Sequence, residues 1–395
     1  MARDGRYGSG MAISGGPDRV AIFSHRDRAT PIGTPATLGL GVGDRPQVLP
    51  RLTSLRAFAA LMVFAYHLNA NNVLHVPRVI NVGYTGVAFF FVLSGFVLTW
   101  STSLSMPKLT FWRNRFARIW PVTAVSTIVA LLLPIPGLHG ENIAGVVLQF
   151  FLLQAWVPNV SVALAANGVT WSLSCEAAFY VALPFLLPVL SRAPRRKRLT
   201  MALVYFAAAS TVVAVIALKQ PGVTWENVAY FDPAIRFGEF LLGVVAALEV
   251  RDGYRMSARV AATLVAVSLI GLATTRAFPL PNAMLTPLFL AVIVVAAQWD
   301  LRHPGGLLAS RPLVYAGGVS FCFYLVHQLT MVNVARWVGH GGAEVALLSF
   351  VASCVAAVAL HHFVELPFQR LIRGRKSAAA SIATHLETNL GTGHP

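Results

Sequence analysis

An arginine and a histidine, Arg56 and His67, stand with ten residues between them in a stretch that is otherwise almost wholly apolar. On a helix rising about 1.5 Å per residue the pair is offset by roughly 16 Å along the axis. Eleven positions is also close to three turns, so both side chains project from nearly one face and can line one tunnel. An ionisable side chain deep in apolar surroundings is costly and points by default to function. Neutral imidazole can take the proton of an attacking hydroxyl and return it to a leaving group, which is the proton traffic of acyl transfer. The bland alternative has His67 bonding a neighbouring helix and Arg56 anchoring a helix end. Spacing supports the two about equally.

Two further clusters carry chemistry. Residues 111–121 read Phe-Trp-Arg-Asn-Arg-Phe-Ala-Arg-Ile-Trp-Pro, with Arg113, Arg115 and Arg118 between aromatic rings. Guanidinium groups hold phosphate bidentately and stack on planar rings, so this loop leading into a span could grip the phosphates and adenine of coenzyme A. Arg115 and Arg118, three apart, share a helix face. The competing reading is an ordinary positively charged loop with an aromatic belt. Residues 171–180 read Trp-Ser-Leu-Ser-Cys-Glu-Ala-Ala-Phe-Tyr, and Glu176 opens the apolar span that follows. A carboxylate in the half of the membrane that His67 reaches could orient and polarise the imidazole. Alternatively Ser172 or Ser174 caps a helix whose dipole Glu176 complements. Weaker signals are Arg236 with Glu239, Tyr324 with His327, and Glu365 with Pro367, the last a common helix-end pattern.

The elements that hold these residues follow from composition. The 395 residues are 56% hydrophobic and 12% charged, with mean hydropathy +0.65, too little charge to cover a water-soluble domain of this size. Apolar runs near 20 residues without two-residue alternation predict an all-α, polytopic transmembrane helix bundle and exclude a barrel. We expect about ten spans, at 54–74, 83–102, 121–138, 173–191, 199–218, 234–250, 259–276, 282–298, 313–337 and 343–363. With Arg51 and Arg56 inside, every later basic cluster falls on that same side, which predicts both termini in the cytosol. Counting 143–156 as a span would put the Arg195 cluster outside, so that segment is expected to be interfacial or re-entrant. Residues 1–50 predict a disordered cytosolic leader, 51–376 the membrane domain and 377–395 a disordered tail.

Several classes are disfavoured. Net charge +16 sits in short clusters between apolar spans, where membrane topology explains it and no nucleic-acid partner is implied. Cys175, Cys322 and Cys354 show neither a disulfide framework nor zinc-ligand spacing, so no metal is expected. There is no GxSxG elbow, P-loop or HExxH motif. Asn72 stands where glycerolipid acyltransferases carry an aspartate five residues after the histidine.

Taken in order, these segments resemble the acyltransferase-3 family of integral membrane O-acyltransferases. The resemblance runs from about residue 50 to 375. It rests on the Arg56 and His67 pair, Gly86 through Ser94-Gly95-Phe96, the 111–121 segment, Trp171-Ser172-Leu173 with Glu176 and Phe179-Tyr180, and Ser320 through Tyr324 to His327. It implies an inner-membrane enzyme that takes an acyl group from cytosolic acyl-CoA to a hydroxyl, with no permanently bound cofactor. His67 and Glu176 would be catalytic, and Arg56, Arg113, Arg115 and Arg118 would hold the donor. Trp171, Tyr180, Tyr324 and His327 would contact substrate. Family acceptors include surface polysaccharides, peptidoglycan and glycosylated natural products such as macrolide antibiotics. The family's usual polar residue after the glutamate is Ala177 here, and no fused extracytoplasmic domain is expected, so the stand-alone natural-product type is the nearer match. Two other classes compete: an acyl relay or transporter serving a partner transferase outside, and a structural or sensor protein in which Arg56, His67 and Glu176 are replaceable.

Overall fold

A chain in lipid must satisfy its own backbone N–H and C=O groups, so the apolar runs become helices. The computed structural model describes residues 48–75, 77, 80–133, 142–219, 223–274, 278–339 and 341–373. The leader expected over 1–50 lies, up to residue 47, outside the described residues, as does the whole of the tail expected over 377–395. Among the described residues every regular element is helical. In chain order these are α1 (Pro50–Ala70), α2 (Gly86–Ser101), α3 (Lys108–Leu132), α4 (Ile143–Phe150), α5 (Val160–Ala163), α6 (Trp171–Arg192) and α7 (Arg195–Lys219). There follow α8 (Val223–Phe231), α9 (Pro233–Arg251), α10 (Ala258–Thr274), α11 (Pro281–Arg302), α12 (Arg311–Val338), α13 (Ala343–Leu360) and α14 (Leu366–Arg373).

Seven helices among the described residues are long and apolar enough to cross a membrane, against the ten spans expected. The three others occupy their expected stretches but fall short for identifiable reasons. α1 carries Arg51 and Arg56, α9 carries Arg236, Glu239, Glu249 and Arg251, and α10 has only 17 residues. One boundary is corrected. The 111–121 segment is not a loop before a span; α3 starts at Lys108, so its arginines sit on the first turns of the helix itself. The eight residues of α4 rise about 12 Å, far less than the roughly 30 Å hydrocarbon core.

α1 packs against α12, α2 and α11; α2 lies on α9, α12 on α13, and α10 on α11. The α2–α9 crossing is close on both sides. Gly95 abuts the Phe240 carbonyl and the Val244 amide, and Gly243 abuts the Val92 carbonyl and the Phe96 amide. Small residues facing one another in this way let two backbones meet where lipid supplies no hydrophobic drive.

Buried charges are paired. Arg51 Nη1 donates to Asp300 Oδ1 at 2.7 Å and to the His303 carbonyl at 2.9 Å, and Nη2 donates to the Gly305 carbonyl. The two side chains are 9% and 1% exposed, so removing one leaves the other buried and uncompensated. Asp300→Ala is expected to cost about 3–5 kcal/mol, read as a lower melting temperature in detergent, whereas Arg302→Ala at the exposed end of α11 should change little. Arg198 joins α7 to Glu249 and Asp252 at the end of α9. The Arg236 and Glu239 signal is a buried ion pair at 3.0 Å, with the guanidinium over the Phe91 and Tyr230 rings. Glu365 sits in a π-turn over His361–Glu365 and accepts from Cys322 Sγ at 3.3 Å and Gln369 Nε2 at 2.9 Å, with His361 Nδ1 at 2.6 Å. Three ligand-type atoms thus come together there, but their bonds to one another, and Arg118 within electrostatic reach, account for the cluster as a staple between α12 and α13.

Between α3 and α6 the chain runs through α4, two 3-10 turns and α5 before α6 begins. Its amides anchor it: Gln149 Nε2 donates to Thr127 Oγ1 at 2.6 Å, Gln154 Nε2 to the Thr170 carbonyl at 3.1 Å, and Asn167 Nδ2 to the Leu325 carbonyl at 2.9 Å. Because Asn167 meets the middle of α12, α6 starts inside the bundle, not at its rim.

Candidate active site

His67 lies on the last turn of α1 and His327 in the middle of α12, 260 residues later. His327 Nε2 and His67 Nδ1 are 3.0 Å apart, and the rings are 4.9 Å apart between centroids. The protons can be assigned from their neighbours. His327 Nδ1 faces the Tyr324 carbonyl at 2.6 Å, and a carbonyl only accepts, so Nδ1 carries the proton and Nε2 of the neutral ring is an acceptor. His67 Nδ1 faces that acceptor and also the Val63 carbonyl at 3.0 Å. A proton on His67 Nδ1 satisfies both; a lone pair there would confront two acceptors. The neutral His67 ring therefore keeps its lone pair on Nε2, in the tautomer that suits a base.

His67 borders a cavity of about 180 Å³ whose wall is mostly aromatic, from Tyr66, Tyr84, Trp171, Tyr230, Phe231 and Phe278. Asn227 and Gln328 are its amide side chains, and no side chain in this wall other than His67 can carry positive charge. Trp171 is packed against Tyr230 and Phe231, with ring centroids 4.8 and 4.9 Å away.

A second cavity of about 300 Å³ lies toward the other end of α1. Arg56, Arg115, Arg118 and Glu176 line it together with Tyr180 and a long apolar wall that includes Leu52, Phe90, Leu98 and Phe321. Arg115 and Arg118 reach it from one face of α3. Arg113, two residues before Arg115 and so on roughly the opposite side of the helix, is exposed and is not part of this wall. Its grouping with the other arginines is corrected accordingly.

Glu176 is also corrected. It accepts from Tyr180 Oη at 2.5 Å and lies within electrostatic reach of Arg56, Arg118 and Arg115; it belongs to the arginine cavity, and the His67 ring is bonded to His327. The reason is the early start of α6. Because Ser172 already touches Tyr324 near mid-bundle, one further turn carries Glu176 toward the arginines. Tyr324 and Val87 are the residues common to both cavities. Sequence reasoning flagged Tyr324 and His327 only as substrate contacts; nothing in a linear reading pairs positions 67 and 327. The aromatic wall was missed, since Tyr84, Tyr230 and Phe278 come from separate segments and read as ordinary apolar residues.

An all-helical membrane bundle with a bonded histidine pair, one of the two buried, beside an arginine-lined cavity defines a class, and sequence comparison gives it a family. Residues 49–362 match the family model described as an acyltransferase domain, and the chain belongs to that family: it is a multi-pass membrane O-acyltransferase. It is similar to the acyltransferase MdmB of Streptomyces mycarofaciens, with 32% identity over 376 residues, 84% of this chain and 95% of that protein. It is also similar to the peptidoglycan O-acetyltransferase OatA of Listeria monocytogenes, with 26% identity over 82% of this chain and 56% of that protein. A putative peptidoglycan O-acetyltransferase of Bacillus subtilis, YrhL, matches at 25% identity over 85% of this chain and 57% of that protein. The chain thus spans little more than half the length of the peptidoglycan relatives. No solved structure matches the chain.

Proposed function

We propose that this enzyme takes an acyl group from acyl-CoA, held at the arginine cavity on the cytosolic side of the inner membrane, to a hydroxyl of a sugar on a macrolide or glycan held in the aromatic cavity. The observation that carries the reading is that the two cavities meet at Tyr324, one lined by three guanidiniums and the other by the His67 and His327 pair. Guanidiniums suit the donor's phosphates. Aromatic faces with a few amides suit an uncharged ring bearing hydroxyls.

In the reaction His67 Nε2 takes the acceptor hydroxyl proton as the oxygen bonds to the thioester carbonyl carbon. The imidazolium that forms donates from Nδ1 to His327 Nε2 and the Val63 carbonyl, so the new charge is held by two acceptors already in place. Collapse breaks the C–S bond, and the proton passes from Nε2 to the thiolate as it leaves. His327 is a positioning residue, since it works through the His67 ring. Glu176 offsets the clustered arginines and holds Tyr180. The similarity to the acyltransferase MdmB extends over nearly all of that protein, whereas it covers little more than half of the peptidoglycan relatives, which favours an acceptor other than peptidoglycan, such as a glycosylated macrolide.

The test is coenzyme A release from acetyl-, propionyl- and isovaleryl-CoA by detergent-purified protein, with macrolide and polysaccharide acceptors offered separately. Release with one acceptor supports the reading. Release with none, together with acyl transfer in cells that depends on a second protein, would replace it with an acyl relay. Arg118→Gln and Arg115→Gln are each expected to raise KM for acyl-CoA about 10- to 100-fold, the value of a charge-assisted hydrogen bond, while Arg113→Gln stays within about twofold of wild type. Equal effects at all three positions would refute the donor assignment.

A further inference from the structure

Tyr324 is the one side chain that borders both cavities and is hydrogen-bonded across the gap between them. Its hydroxyl sits 2.9 Å from Ser172 Oγ on α6 and 2.9 Å from the Val169 carbonyl just before α6, and Ser172 Oγ lies 3.1 Å from that same carbonyl. The ring is 6% exposed and wedged edge-on to Phe90, 6.1 Å between centroids. It stands one turn before His327 and, with Val87, between the arginines and His67.

We infer, on the basis of the function proposed above, that Tyr324 is a latched partition between the donor and acceptor spaces and decides whether the acyl group goes to the acceptor or to water. The latch is placed where an acceptor can reach it. Val169, whose carbonyl holds the phenol, and Trp171 are themselves walls of the His67 cavity. An acceptor seated there displaces the 169–172 segment, loosens the phenol and opens the way for the thioester. Without an acceptor the partition keeps the thioester away from His67 and the water beside it. If the partition fails, a water oxygen attacks the thioester carbon, the C–S bond breaks, and the proton taken from water by His67 moves to the departing thiolate, leaving the free acid and coenzyme A.

Two measurements test this. In the first, single cysteines replace Ser94 in the arginine cavity and Leu164 in the His67 cavity, in a Cys354→Ser background, and are labelled in sealed vesicles of both orientations with a charged, membrane-impermeant thiosulfonate. With Tyr324 present each should label from one face only, and from opposite faces; Tyr324→Ala should let both label from either face. Two-sided labelling with Tyr324 intact, or unchanged sidedness in Tyr324→Ala, would overturn the partition. In the second, acetyl-CoA hydrolysis without acceptor should rise about tenfold in Tyr324→Phe and Ser172→Ala, the factor set by losing one net hydrogen bond. Those substitutions keep the ring and the helix, so an unchanged rate in folded protein would also overturn the proposal. Labelling needs no donor. Failure of acetyl-CoA to protect the cysteine at 94 while the sidedness holds would therefore sink the donor assignment and leave the partition standing.

Discussion

His67→Ala is expected to lower acyl transfer by about 10²- to 10⁴-fold, the usual worth of a positioned general base, with acyl-CoA binding retained because the arginine cavity is untouched. His327→Leu should lower kcat by roughly 10- to 100-fold, since it removes an acceptor that orients the ring and steadies the imidazolium. The diagnostic result is the double variant. Groups that act as a unit lose their effects together, so His67→Ala with His327→Leu should be no slower than His67→Ala alone. His327→Asn, whose amide oxygen can accept from His67 Nδ1, should recover part of the loss. Additive losses, or an asparagine no better than leucine, would reduce His327 to a packing residue, and wild-type rates in His67→Ala would remove the histidine from the mechanism altogether.

The second large effect is on stability, at the α2–α9 crossing. A side chain at Gly95 meets the Phe240 carbonyl and Val244 amide, and one at Gly243 meets the Val92 carbonyl and Phe96 amide. These are backbone atoms, which cannot rotate aside. Gly95→Val or Gly243→Val must spread the two helices and is expected to cost on the order of 3 kcal/mol or more, a fall in melting temperature of roughly 6 to 12 °C by detergent size-exclusion after heating. Because the two glycines share one contact, Gly95→Ala and Gly243→Ala should combine non-additively. Gly318 on α12 is the control: nothing lies within 4 Å of a side chain there, so Gly318→Ala should hold or slightly raise stability by removing helix-interior glycine. A Gly95→Val protein as heat-stable as wild type would mean that the helices do not cross this closely.

Much of the bundle could be read in advance because lipid makes helices obligatory and apolar runs mark them. The common face of Arg115 and Arg118 followed from a three-residue spacing, and the depth difference between Arg56 and His67 from helix rise. What failed was depth across the connections between helices. Glu176 was set beside His67 on the assumption that α6 starts at the membrane rim, but three buried amides, Gln149, Gln154 and Asn167, draw the preceding segment inward. The start of α3 was missed because three arginines within two turns read as loop, although arginine is a good helix former. His327 could not be paired with His67 from sequence, since contact between residues 260 apart is set by the packing of α1 on α12 and leaves no local pattern.

The inward start of α6 also orders events during synthesis. Asn167 donates to the Leu325 carbonyl, and the Val169 carbonyl and Ser172 Oγ bond Tyr324, so the approach to α6 and its first turn take three of their bonds from α12. The contact with Leu325 spans 158 residues, which at about 5–20 residues per second puts α12 on the order of 10 to 30 s behind on the ribosome. Until then Asn167 has Ser126 on α3 and Ser172 has the Val169 carbonyl, and the wall around His67 is among the last parts of the enzyme to close.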